Sequence, residues 1–393
     1  MRTGHNPPMH QRSMGLRAAL AVVLAGALGM TVITPAHALV IPQSFISLTK
    51  SRTLYNPGIL VLDPATGDTI FAKGAEKLRA PASVLKLIST TTALKAFGAD
   101  KKFVTTINAT AQPDAFVLTG ESDPWLTDSA FEAKKYHRAY APELVNKVLE
   151  QNPQMHEMTL YYKDVYATDA DGLKKFFKGR VAITTKVLPG ASAVKELVTD
   201  PIASISSPPL SEIVDFTLLW SDNVLADRLA HSAAHQLGFP GDSTGLQSAF
   251  EKTLKDLNVP SEGLAVQDGN GLSHETRVSA RTIASLLVAI KREPDLKVIY
   301  DGLPTAGKTG TLKGRFVKDA PSAVGLVKAK TGWIDTTVSL AGFVTVGPQQ
   351  YAFAVIADRI PNRESARGAA RVTIDKMLST IAKRPPAAST TTP

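Results

Sequence analysis

The sequence predicts an α/β fold of the α+β kind, with a smaller unit inserted into it. Two observations carry this. Strand patterns joined by tight turns stand towards both ends of the chain, over 58–72 and 327–357, while the segments between 210 and 290 are mainly helical. Between about Ala109 and Ile205 the pattern breaks into short strand-like pieces and lysine-bearing polar stretches, which marks an insertion (109–205) with a small core of its own.

Each element has its reason. Gly58–Asp63 (GILVLD) is an apolar run fit for a buried strand, Pro64-Ala65-Thr66-Gly67 is a turn, and Asp68–Ala72 (DTIFA) returns as its hairpin partner. After Pro81-Ala82-Ser83, the apolar residues Val84, Leu85, Leu87, Ile88, Ala93, Leu94 and Phe97 cover much of a helix's circumference and predict a buried helix, with Ser83 in its first turn. Inside the insertion, AFVLTG and MTLYY read as strands. Ser206-Ser207-Pro208-Pro209 closes it. Leu210–Leu229 predicts two helices broken at Ser221-Asp222-Asn223, Asp268-Gly269-Asn270-Gly271 a turn, Thr282–Ile290 a helix, and LKVIY, ending at Tyr300, a strand-like piece. Val327–Thr331, Ser339–Val346 and Tyr351–Ala357 read as three consecutive antiparallel strands, and Arg363–Lys383 as an amphipathic helix. Residues 385–393 have the composition of a disordered tail.

The 393 residues allow two domains, or one domain with an insertion. Arg2, Arg12 and Arg17 precede a 16-residue apolar run, Ala18–Ile33, and Ala36-His37-Ala38 follows. A basic start, an apolar centre and a small-x-small end describe an export signal cleaved after Ala38, and the run is short for a membrane span of about 20 residues. Residues 1–38 are therefore set apart as leader, and an extracytoplasmic location is expected. There is no cysteine, which removes thiol nucleophiles and Cys-based metal sites and leaves stability to the core. Formal charge is +9; the leader carries three arginines and no acid, so +6 remains. Its basic residues are scattered, which suits an anionic cell wall better than nucleic acid.

Three strings carry the chemistry: Ser83-Val84-Leu85-Lys86, Ser221-Asp222-Asn223 and Lys330-Thr331-Gly332. S-x-x-K also occurs at Ser47–Lys50 and Ser192–Lys195. Spacing i, i+3 puts serine and lysine on one helix face, but only Lys86 falls inside an apolar helix. Burial there would lower its pKa and let a neutral amine take the proton of Ser83, a serine otherwise read as a helix cap. K-T-G also occurs twice. Lys330–Gly332 lies on an apolar strand with a hairpin partner, a setting that can bind an extended peptide by strand addition, whereas Lys308–Gly310 lies in a turn-rich loop.

Two rival readings are weaker. Gly302–Thr309 satisfies the Walker A pattern, with VIAD ending at Asp358 as a Walker B stand-in. Gly314 and Pro321 break the helix that should begin at Lys308, and only 84 residues follow Thr309. His231 and His235 have the i, i+4 spacing of a helical zinc pair, but no adjacent H-E-x-x-H glutamate and no third ligand is evident, so a solvated or packed helix face is favoured.

The three strings together, with S-P-P-L-x-E-I before W-S-D-N-x-x-A-D, D-G-N-G-L-S (268–273), L-P-x-A-G-x-x-G-T-L-K-x-R-F (303–316) and A-K-T-G (329–332), resemble the penicillin-binding D-Ala-D-Ala carboxypeptidase/endopeptidases of the type-4 low-molecular-mass group. The resemblance covers roughly 45–108 and 206–384. It implies a transpeptidase/β-lactamase-like domain (39–108 and 206–384): a five-stranded antiparallel sheet flanked by helices, plus an all-helical part. Ser83 would be the nucleophile and Lys86 its base. Ser221 and Asn223 would hold Lys86 and pass a proton to the leaving amine, and Lys330 would keep the field positive. Thr331, Gly332 and Trp333 would bind substrate, with the backbone N–H groups of Ser83 and Trp333 as oxyanion hole. Peptidoglycan stem peptides and β-lactams are the implied partners, with no metal or organic cofactor. The sequence departs from the group twice. The insertion is shorter than usual, and Trp333 stands where a Thr or Ser is common. A class A-like β-lactamase would need an acidic E-x-x-L-N segment after Ser221-Asp222-Asn223, and none is found; a non-catalytic wall-binding protein would have no need of the intact set.

Overall fold

The computed structural model describes residues 39–383; the expected leader (1–38) and tail (385–393) lie outside them. Both ends of the chain build one sheet. α1 (Gln43–Thr49) leads to β1 (Asn56–Leu62) and its antiparallel partner β2 (Thr69–Lys73). A 3₁₀ turn, Ala82–Leu85, then runs into α2 (Lys86–Phe97), in which every residue from Lys86 to Leu94 is buried. Two of its hydroxyls are absorbed along the helix, Thr90 Oγ1 donating to the Lys86 carbonyl (2.7 Å) and Thr91 Oγ1 to that of Leu87 (2.6 Å).

The chain next forms a second sheet from β3 (Val104–Thr110), β4 (Ala115–Gly120), β5 (Glu157–Lys163), β6 (Ala182–Val187) and β7 (Val198–Ser206), in the order β6-β5-β4-β3-β7. The pairs β4–β5 and β5–β6 are parallel. Parallel neighbours need long crossovers. Here α3 (Ala130–Tyr136) and α4 (Pro142–Gln151) lie in the first and α5 (Ala167–Phe176) in the second; α6 (Ala191–Leu197) precedes β7. The sheet has its own core around Ile107, Leu118, Leu144, Leu160 and Leu173. This second sheet starts at Val104 and ends at Ser206, so the expected boundaries at 108/109 and 205/206 fall inside β3 and β7. A change in composition does not reveal that the first turns of a strand already pair with β4 and β7.

The remaining helices are α7 (Leu210–Trp220), α8 (Asn223–Gln236), α9 (Ser243–Asp256), α10 (Ala280–Arg292) and α11 (Lys297–Gly302). α11 corrects the strand-like reading of LKVIY. Val298, Ile299 and Tyr300 are β-formers by propensity, but Leu296 and Ile299 are buried in the helical core against α7, and packing overrides so weak a preference. β8 (Val327–Ile334), β9 (Thr337–Val346) and β10 (Gln349–Asp358) then complete the first sheet, all antiparallel, in the order β2-β1-β10-β9-β8. α12 (Glu364–Ser379) follows.

Period-2 alternation divides this sheet between two cores. Leu60 and Leu62 face the helices α2 and α7–α11, together with Ala352, Ala354 and Ile356. Ile59 and Val61 face α1 and α12, together with Phe353 and Val355. With the strand order fixed, β8 is left as an edge.

Candidate active site

Ser83 reaches its place through a buried arginine. Arg79, 1 % exposed, donates from Nε to the Asn56 carbonyl (2.7 Å), from Nη1 to those of Gly74 (2.9 Å) and Lys77 (2.7 Å), and from Nη2 to that of Pro57 (3.0 Å). Four carbonyls thereby lock the β1–β2 hairpin to the segment that enters Pro81-Ala82-Ser83. Ala82 has φ 51°, a left-handed conformation that side chains other than glycine's adopt at a cost, and Ser221 has φ 60°. Backbone strain is thus held at two of the three motifs.

Five side chains converge as two hydrogen-bonded groups, Ser83, Lys86 and Asn223 in one and Ser221 and Lys330 in the other. Lys86 Nζ donates to Ser83 Oγ (2.8 Å), to Asn223 Oδ1 (2.8 Å) and to the carbonyl of Asn270 (2.7 Å). The three acceptors satisfy all three ammonium donors, or leave a lone pair facing Ser83 once a proton is lost. Lys330 Nζ donates to Ser221 Oγ (2.7 Å) and to its neighbouring Thr331 carbonyl (2.9 Å). The expectation that Ser221 holds Lys86 is therefore corrected. Lys86 is held by Asn223 and a backbone carbonyl, and Ser221 is the partner of Lys330. The left-handed turn at Ser221 ends α7 and Asp222 caps α8 through Leu225 N (2.9 Å), which turns the serine and asparagine towards different lysines.

Asn270 is the participant that the motifs did not supply. Asp268 accepts from Gly271 N (3.0 Å) and Ser273 N (2.7 Å), Asp227 on α8 accepts from Gly269 N (2.8 Å), and Ser89 Oγ donates to the Gly269 carbonyl (2.5 Å). Gly271 has φ 82°, and a Cβ there would meet the Ala82 carbonyl oxygen at 2.1 Å. The D-G-N-G string was the only sequence signal, and it is a turn that must pass over the nucleophile's own backbone.

β8 closes the other side. A Cβ at Gly332 would lie 2.0 Å from Ser339 Oγ, which itself donates to the Pro81 carbonyl (2.7 Å), so glycine lets the edge strand approach the turn that carries Ser83. Thr331 Oγ1 donates to Thr311 Oγ1 (3.0 Å) from the loop after α11. Trp333 is 38 % exposed, and the guanidinium carbons of Arg367 and Arg371 on α12 lie 5.3 and 5.7 Å from its ring centroid. Lys308 is exposed in the turn before the 3₁₀ segment Gly310–Leu312. Ser47 and Ser192 are exposed, as are Lys50 and Lys195. His231 Nε2 lies 3.7 Å from Asp227 Oδ2, and among the described residues no group of three His, Asp or Glu side chains is gathered as a metal-ligand set.

Burial sets the electrostatics. Lys86 has no exposed surface, and desolvation lowers its pKa to about 8 against the partial support of Asp268, Asp222 and Asp227. Lys330 is likewise buried, and desolvation and then the charge of Lys86 push its pKa well down. Two lysines in one dry site resist both being charged, so a proton on either one favours the neutral amine on the other. A neutral amine is the form that accepts a proton from Ser83. Acylation by a penicillin is therefore expected to rise about tenfold per pH unit below pH 8 and to level off above it. A stopped-flow profile that stays flat from pH 6 to pH 9 would remove Lys86 from the role of base.

A buried lysine beside a serine at the foot of a helix, faced by an edge strand, is an arrangement for acyl transfer to serine, on the fold of a penicillin-binding protein. The fold is shared with penicillin-binding protein 4 from Haemophilus influenzae, with TM-score 0.69 and 17 % identity over 86 % of this chain and 98 % of that one. It is also shared with a predatory endopeptidase of Bdellovibrio bacteriovorus solved with an immunity protein, at TM-score 0.61 and 17 % identity over 82 % and 92 % of the two chains. In sequence the chain is 29 % identical to carboxypeptidase DacB of Mycolicibacterium smegmatis over 332 residues, 72 % of each protein. It is 31 % identical to a D-alanyl-D-alanine carboxypeptidase of Actinomadura over 160 residues, 39 % of this chain and 29 % of that one. The chain belongs to the D-Ala-D-Ala carboxypeptidase 3 (S13) family, whose profile matches residues 48–139 and 152–381.

Proposed function

We propose that the protein is an extracytoplasmic serine D-alanyl-D-alanine carboxypeptidase that trims peptidoglycan stem peptides through a Ser83 acyl-enzyme. The observation that carries this is the 2.8 Å hydrogen bond between Lys86 Nζ and Ser83 Oγ inside a buried site. Lys86 takes the Ser83 proton as Oγ attacks the carbonyl between two D-alanines. The backbone N–H groups of Ser83 and Trp333 receive the oxyanion. The leaving amine takes a proton from the Ser221 hydroxyl, which Lys330 Nζ (2.7 Å) replaces, and D-alanine departs. Water then hydrolyses the ester. Lys330 and Thr331 receive the terminal carboxylate, whose negative charge stabilises the protonated form of Lys330. The substrate's backbone pairs with the open edge of β8. A cross-link presents the same D-Ala-centred amide, so DD-endopeptidase action is the second outcome to assay. The basic start of the chain and the small-x-small site at Ala36–Ala38 support export.

A β-lactam would acylate the same serine, and the ester is expected to persist. The three carboxylates whose charge reaches Lys86 are each engaged by backbone: Asp268 by Gly271 and Ser273, Asp222 by Leu225, Asp227 by Gly269. Each is thereby turned towards a loop or a helix end, and none of the three hydrogen-bonds Ser83, where a β-lactamase would need a base to activate water for fast deacylation. Incubation with benzylpenicillin should give a stable mass adduct on the peptide containing Ser83, and a D-Ala-D-Ala pentapeptide should release D-alanine. Rapid drug hydrolysis with no adduct would support the β-lactamase reading instead.

A further inference from the structure

The outer edge of the second sheet carries a surface that this chemistry does not use. Residues 171–186 hold five basic side chains against one acid, a net of +4 within sixteen residues. Lys174, Lys175, Lys178 and Arg180 line a cleft of about 740 Å³ where α5 turns into β6. Among its lining residues, Val181 and Ile183 are apolar and only 2 % and 4 % exposed. None of the four cations is in an ion pair among the described residues. The one acid, Asp171, accepts from Thr185 Oγ1 (3.3 Å). Lys174 and Lys175 sit in the last turn of α5 and offset its carbonyl dipoles, but Lys178 and Arg180 lie beyond the helix, where that explanation ends. Phe176 and Val187, 41 % and 67 % exposed, flank the cluster. β6 is the edge strand of its sheet, three strand spacings or about 14 Å from β3.

We propose that this basic cleft docks the protein on the anionic face of a phospholipid bilayer. Lipid phosphates match the unpaired cations. The exposed Phe176 and Val187 beside them match the acyl boundary beneath, for which a soluble polyphosphate has no counterpart. No described helix is long and apolar enough to cross a membrane, so such a contact would be peripheral and reversible. It lies on the edge of the second sheet and leaves the Ser83 site free.

The test is co-sedimentation of the chain from Leu39 to Pro393 with phosphatidylglycerol vesicles and with phosphatidylcholine vesicles. The protein should pellet with the first at low salt, and release as salt rises. Each basic residue near an anionic surface is worth about fivefold in partitioning, so K174Q/K175Q/K178Q should bind on the order of a hundredfold more weakly. K252Q/K255Q/K376Q removes the same charge elsewhere and should bind like the parent. Penicillin acylation at the parent rate confirms that both variants are folded. Failure of the parent to bind anionic vesicles, equal loss in both triple variants, or binding to poly(glycerol phosphate) without binding to vesicles would each overturn the proposal.

Discussion

Ser83→Ala should lower turnover of a D-Ala-D-Ala peptide by on the order of 10⁴ or more, and abolish labelling by a fluorescent penicillin. The substitution deletes the one oxygen that both accepts from Lys86 Nζ and stands in the first turn of a buried helix. Lys86 keeps Asn223 Oδ1 and the Asn270 carbonyl as acceptors, so the fold should lose only about 1 kcal/mol for the missing hydrogen bond. Activity should therefore vanish while the melting temperature changes little. The other two S-x-x-K serines cannot substitute. Ser47 and Ser192 are exposed, and so are Lys50 and Lys195, which lack the burial that sets Lys86 apart. Peptide mapping of the labelled parent decides the matter: a penicilloyl group on Ser47 or Ser192 would sink the assignment.

Lys330→Ala should slow second-order acylation by about 10²- to 10³-fold, the scale of losing one preorganised electrostatic group, whereas Lys308→Ala should acylate within a few-fold of the parent. Both lysines begin a K-T-G, and the difference is placement. Lys330 lies on the edge strand β8, wholly buried, with Ser221 Oγ at 2.7 Å. Its loss withdraws the positive charge opposite the substrate carboxylate and leaves Ser221 without its donor. Lys308 is exposed in a turn, where no ladder can align an extended peptide. Because removing a buried lysine also opens a void, acylation rates should be referred to the folded fraction from a thermal melt. A crippled Lys308→Ala beside a normal Lys330→Ala would reverse the motif assignment.

The local features of this chain were legible without coordinates. Apolar residues all around 84–97 announce a buried helix, so they also identify which of three S-x-x-K copies has a lysine with a lowered pKa. Three apolar strand-like runs over 327–357 announce three antiparallel strands, so they also identify which K-T-G lies on a strand with a hairpin partner. Where local preference was weak the reading slipped. LKVIY has strand propensity and is a helix, because α7 offers its side chains a packed face. The Walker-like string at Gly302–Thr309 has the right letters, but a helix precedes it and the sheet behind it is antiparallel.

What the sequence by itself determined was the chemistry available: a serine and lysine one helical turn apart, a polar break between helices, and a cationic strand. Those signals sit within a few residues of one another, where side-chain type and backbone period are enough. The tertiary structure alone decided the pairing. Lys86 takes Asn223 and, from 184 residues away, the carbonyl of Asn270, and Ser221 goes to Lys330. Arg79 ties the hairpin to the nucleophile's loop, and Gly332 and Gly271 let two backbones close on Ser83. A carbonyl is common to every residue, so nothing in the letter Asn marks it as a ligand for an ammonium. Only the packing that brings distant turns together within hydrogen-bond reach does so.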